Sequence, residues 1–126
     1  MKILTTTIAR IIFAIPFLIF GLNHFMKADM MAGLVPSFLP GGVLWVYLSG
    51  ALLVTAAICF IIGKYLREAG FAVAAFLLIT IITIHIPGMS NPQTQMMAFS
   101  GLMKDTGLIG GALLIAGMGQ VKANKV

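Results

Sequence analysis

FSGLMKDTGLIGG, residues 99–111, sets Lys104 beside Asp105 inside a stretch that otherwise reads as a membrane-spanning helix. Widened to 97–119, it has the ~20 residues needed to cross ~30 Å of hydrocarbon at ~1.5 Å per residue. The rest of the chain decides that this reading is right. With 8 basic and 3 acidic residues in 126, and 60% of positions hydrophobic, it lacks the charge to cover the surface that a small water-soluble domain exposes. The mean hydropathy of +1.09 makes the bilayer its solvent.

Three more apolar stretches lie upstream, at about 4–24, 43–63 and 70–87. Together they predict an all-α membrane protein, a single domain built as an antiparallel bundle of four transmembrane helices. The first stretch follows Lys2 as a signal peptide would. GLNHF stands where a small-residue cleavage site is needed, so the stretch reads as a retained span. KYLREA, residues 64–69, is a tight turn between helices two and three. The segment 24–35 is amphipathic enough for a short interfacial helix, followed by a loop with Pro36, Pro40, Gly41 and Gly42. Pro16 falls inside the first helix, where it frees a carbonyl near Ile12 and predicts a kink.

The net charge of +5 needs no nucleic acid to explain it. Lys2, Arg10, Lys64, Arg67, Lys122 and Lys125 fall at the termini and the 64–69 turn, whereas Lys27 and the embedded Lys104 are alone on the other side. This asymmetry predicts cytoplasmic N and C termini, with loops 25–42 and 88–96 facing outward. Cys59 is the single cysteine, so the chain forms no internal disulfide. It reads as a small packing residue.

An ionisable residue within a span costs several kcal/mol near the bilayer centre and needs a reason to be there. Arg10 sits close enough to an interface to snorkel, or shares a stripe with Ala14, Phe17, Gly21 and His24 as a bundle-facing anchor. His24 and His85 fall at matching depths on helices one and three. Such a pair can ligate haem or a metal, donate to a quinone carbonyl, or be satisfied polar groups. Lys104 shares a helical stripe with Gly107 and Gly111, which points it into the bundle. Asp105 diverges from it by about 100°, so each is expected to bind a different neighbour. Either the five form a structural clasp or they line a ligand or proton site. Met26, Met30, Met31, Met89, Met96, Met97 and Met103 gather on the expected outer side, where thioethers suit Cu(I) or serve as flexible packing. Ser49, Ala56 and Cys59, or Gly50 and Ala57, offer helix two a close-packing seam.

ARIIFAIPFLIFGLNHF in helix one, MAGLVPSFLPGGVLWVYLSGA entering helix two, TIHIPG ending helix three and LMKDTGLIGGALLIAG in helix four together resemble the DoxX-like small membrane proteins. The resemblance implies a four-helix inner-membrane protein, with some relatives serving as subunits of a thiosulfate:quinone oxidoreductase or as partners of thiol-handling proteins. By position it implies Arg10, His24, His85, Lys104 and Asp105 as the ligand-binding residues. One departure is that many relatives carry a glutamate shortly after the glycine matching Gly50, where this chain has Leu52 and Leu53. The expectation is a redox-linked membrane subunit binding a quinone-type or other amphipathic molecule. The alternatives are a non-catalytic binder or transporter of Cu(I), haem or lipid, and an accessory that oligomerises or assembles with another membrane or redox subunit. No sequence feature identifies a bound electron carrier of its own.

Overall fold

The computed structural model describes residues 2–35 and 37–124; Met1, Pro36, Lys125 and Val126 lie outside the described residues. The described residues form five helices. α1 runs Leu4–Met26, α2 Ala28–Ala32, α3 Gly42–Ile62, α4 Leu66–Gly88 and α5 Gln95–Asn124. All but α2 are long and apolar enough to span, and the described residues contain no strand. The chain is an all-α bundle of four spans, a multi-pass membrane protein in contact with lipid. α1 begins and α5 ends at the end of the bundle that holds the α3–α4 turn, here called the basic end. The opposite one is the loop end.

Boundaries differ from expectation where backbone geometry intervenes. Instead of a turn over 64–69, Gly63 at φ 77° and Tyr65 at φ 55° reverse the chain within Gly63–Tyr65, and α4 already starts at Leu66. Two left-handed residues in three reverse a chain faster than a loop does. The expected interfacial helix over 24–35 is divided. α1 continues to Met26, Lys27 breaks it at φ −120° and ψ 31°, and only Ala28–Ala32 remains for α2. Pro16 sits inside an unbroken α1. α4 carries a π-helical segment, Ile81–His85, which adds a residue to the turn just before Pro87.

Small residues set which helices pack closely. Gly21 and Gly50 let α1 and α3 touch: a Cβ on Gly50 would come 3.0 Å from the Gly21 carbonyl oxygen and 2.8 Å from His24 Cβ. That selects Gly50 and Ala57 as the α1-facing seam of α3, both buried. Gly70 does the same for α4 against α5, where a Cβ would meet the Ala112 carbonyl oxygen at 2.6 Å. Phe17 and Phe60, with Phe13 tilted against both rings at 5.0 and 5.6 Å, fill the core towards the basic end. α1 and α5 do not pack backbone to backbone; Phe13 bridges them by lying on Gly111.

The α5 seam is a correction to the expected stripe. Ala98, Asp105, Ala112, Ile115 and Ala116 are the buried positions of α5, whereas Gly107 and Gly110 have open space where a Cβ would be. Seven residues separate Asp105 from Ala112, nearly two full turns. Asp105, not Lys104, therefore rides on the packed face. Glycine tolerates close approach but does not demand it, so Gly107 could not fix the rotation of the helix.

Gly70→Leu is expected to lower stability by about 1–3 kcal/mol through overpacking, and Gly107→Ala to leave it unchanged or raised. Thermal unfolding of both variants in one detergent checks the pair. Equal loss in both would place the α5 seam at Gly107.

Candidate functional site

Lys104 and Asp105 of α5 meet α4 and α1 about 15 Å along the helix from Gln95, level with His85, which stands three residues before the end of α4. Asp105 is 3% exposed and is the buried polar residue among those described. Its Oδ2 accepts from His85 Nε2 at 2.9 Å and its Oδ1 faces Lys104 Nζ at 3.5 Å. Both oxygens are thus engaged, which is the condition under which a carboxylate is tolerated in a medium without water.

Neighbouring features place His85. It is the last residue of the π-helical segment, and its ring lies on Gly101, one turn before Asp105. A Cβ at Gly101 would overlap the imidazole, so the glycine is what lets the ring lie flat against α5 and reach the carboxylate. With Nε2 donating to Asp105, Nδ1 is the nitrogen left over. Thr80, just before this segment, and Thr83, in its middle, donate to the carbonyl oxygens of Phe76 and Ile79 at 3.0 and 2.7 Å. These bonds satisfy backbone groups that the lipid could not.

Lys104 departs from the expectation that it points into the bundle and binds a different neighbour. Adjacent side chains on α5 reach each other after all, because the long lysine stem bends back to Asp105 while the ammonium sits 4.8 Å from the centroid of the Phe20 ring on α1. Its side chain remains 52% exposed, against 16% for His85. The ammonium therefore stands at the side-chain-bridged seam between α1 and α5, accessible from outside the bundle.

His24 joins the group only through Phe20. Its Nδ1–H donates to the Phe20 carbonyl oxygen at 2.6 Å, which leaves Nε2 as the second nitrogen. Arg10 lies elsewhere, ~21 Å along α1 from His24. It donates to the Phe60 carbonyl oxygen at 2.8 Å and to Thr7 Oγ1 at 3.4 Å, and its guanidinium fills the space beside Gly63. That is the bundle-facing anchor, tying α1 to the carbonyl end of α3, where a cation is favoured. Phe20 and Gly101 were not candidates from sequence. Gly101 stands one turn from Asp105, and that spacing was the available signal.

Among the described residues no group of three or more His, Cys, Asp and Glu is close enough to hold a metal ion. Met26, Met30, Met96 and Met97 are largely exposed, and Met89 and Met96 share a groove with Gln95 and Phe99 at the loop end.

Fold and site together define a four-span membrane protein with a satisfied Lys–Asp–His cluster in its loop-end half. The chain belongs to the family described as a domain of unknown function, DUF8561, whose model matches residues 13–106. The matched stretch includes Phe20, His24, His85, Gly101, Lys104 and Asp105 and leaves out Arg10. No curated protein and no solved structure matches the chain.

Asp105→Asn is expected to cost about 3–5 kcal/mol, since it removes the charge that Lys104 faces and leaves one amide oxygen to serve two donors. Gly101→Ala, which displaces the His85 ring, should cost about 1–3 kcal/mol. Lys104→Met, at a half-exposed position, should cost less than either. Melting temperatures in detergent give the order; a Lys104→Met loss as large as that of Asp105→Asn would place Lys104 inside the bundle.

Proposed function

We propose that the chain is a redox-linked membrane subunit that binds a quinone-type amphipathic molecule in its loop-end half, at the seam between α1 and α5. One observation carries this reading. Lys104 presents a half-exposed ammonium beside an aromatic ring within the apolar span of α5, backed by a buried carboxylate that is itself hydrogen-bonded to an imidazole. An ammonium left in that position without use is costly.

The arrangement suits a carbonyl head with an apolar tail. Lys104 has three N–H donors, of which Asp105 engages one and the Phe20 ring takes a second direction. A third remains for a carbonyl oxygen arriving from the lipid, with the exposed edge of Phe20 beside its ring. Asp105 and His85 hold the ammonium in place and provide a hydrogen-bonded pair along which a proton can move. A quinone supplies a reversible electron and proton acceptor when bound. The electrons must come from another subunit, in keeping with the resemblance to DoxX-like proteins.

A titration of purified protein with a short-tailed quinone tests the site. Loss of one charge-assisted hydrogen bond, ~1.5–3 kcal/mol, corresponds to roughly 10- to 100-fold weaker binding in Lys104→Met. His85→Phe should weaken binding too. Unchanged affinity in Lys104→Met would remove the seam as the binding place.

The orientation we propose has both chain termini in the cytoplasm of a bacterial-type inner membrane. Lys2, Arg10, Lys64 and Arg67 support it, all at the basic end, with Lys27 at the other. Reporter fusions after Lys64 and after Ser90 should report opposite compartments, cytoplasmic for the first. A periplasmic signal after Lys64 reverses the assignment.

A further inference from the structure

A second feature lies on the other side of the molecule. α3 and α4 splay apart between the two closely packed helix pairs, leaving a groove of about 480 Å³ open along its membrane side. Ala51, Thr55 and Cys59 hollow it from α3 and Ala72 from α4, while Tyr65 and Glu68 stand at its basic-end mouth. From Ala51 to Cys59 it follows ~12 Å of helix axis, close to the ~15 Å that half of a ~30 Å hydrocarbon core provides. The groove therefore covers one leaflet, from the middle of α3 down to the turn.

Charge is confined to the mouth. Glu68 lines it, exposed Lys64 precedes the lining Tyr65 in the turn, and Arg67 lies against Gly119 of α5; among the described residues neither the Lys64 nor the Glu68 side chain makes a hydrogen bond or an ion pair. Tyr65, 71% exposed and held by its left-handed backbone, stands between Lys64 and Glu68 at the level where tyrosines meet headgroups. A purely anionic headgroup would find a cation there but would meet Glu68 as well. A headgroup that carries both a phosphate and a primary ammonium satisfies both signs. We propose that this groove binds one phosphatidylethanolamine-type phospholipid of the basic-end leaflet. One acyl chain lies along Ala51, Thr55, Cys59 and Ala72, the phosphate meets Lys64, and the ammonium meets Glu68.

The test uses the full chain extracted in mild detergent and then exchanged, in separate samples, with dioleoyl phosphatidylethanolamine, phosphatidylglycerol or phosphatidylcholine. Native mass spectrometry counts retained lipids. One phosphatidylethanolamine per chain is expected, in preference to the other two and with a raised melting temperature. Ala72→Phe fills the groove from its side and should cut retention at least tenfold. Ala51→Phe, at an exposed position, makes the same test if Ala72→Phe does not fold. Glu68→Gln should keep a bound phospholipid but lose the preference for the amine. Equal retention of all three lipids by wild type and groove-filled variants would leave only an unspecific lipid shell and overturn the proposal. A dimer that dissociates on filling the groove would assign it to a second copy of the chain and overturn it equally.

Discussion

The carboxylate of Asp105 is the constraint to which the loop-end half of the molecule answers. A carboxylate inside hydrocarbon has no water to turn to, so both oxygens must find donors within the bundle. One donor comes from α4 and the other from the adjacent position on α5. The α4 contact dictates several local features at once. His85 must arrive at the depth of Asp105, the ring must lie against α5, and α5 must offer no side chain where the ring passes. The π-helical segment ending at His85 and the glycine at 101 meet these conditions.

Close packing elsewhere determines where the bundle is loose. Glycine against glycine draws α1 onto α3, and Gly70 against Ala112 and Ala116 draws α4 onto α5. Two tight pairs cannot both be tight against each other along two seams without matching small residues there. At one seam, between α1 and α5, large side chains do the bridging and Lys104 emerges. At the other, between α3 and α4, small side chains line both walls and a groove results. Arg10 and the Phe13, Phe17 and Phe60 cluster hold α1 on α3 near the basic end, so the looseness at the α1–α5 seam does not extend to the whole of α1.

Hydropathy made the four spans legible, because crossing a bilayer imposes a length that composition reveals directly. The pairing of His85 with Asp105 was within reach for a related reason: an intramembrane carboxylate needs a donor, and His85 was among the few at that depth. Rotation of α5 was not legible. The stripe through Lys104, Gly107 and Gly111 and the stripe through Asp105, Ala112 and Ala116 differ by one residue, and glycine fits both a packed and an open position. Alanine at 112 and 116 was the better guide, since a small side chain that is not a glycine fills a close contact without leaving space. The early start of α4 escaped for a different reason. It depends on Tyr65 taking a left-handed conformation that tyrosine rarely adopts.

Lys104 and Asp105 are adjacent in the chain but differ in exposure. The buried carboxylate is costly without donors, and His85 and Lys104 supply them from two directions. Here the acid is sealed in and the base is left at the edge, over an aromatic ring. The buried partner fixes where the ammonium stands, and the exposed one keeps donors free. A preorganised cation facing lipid has a use for a ligand that carries an acceptor on an apolar body, since such a ligand is concentrated in the membrane and meets the site laterally. Snorkelling explains how the lysine can stay at the edge, and the proposed recognition of an amphipathic acceptor would make use of the donors it leaves free.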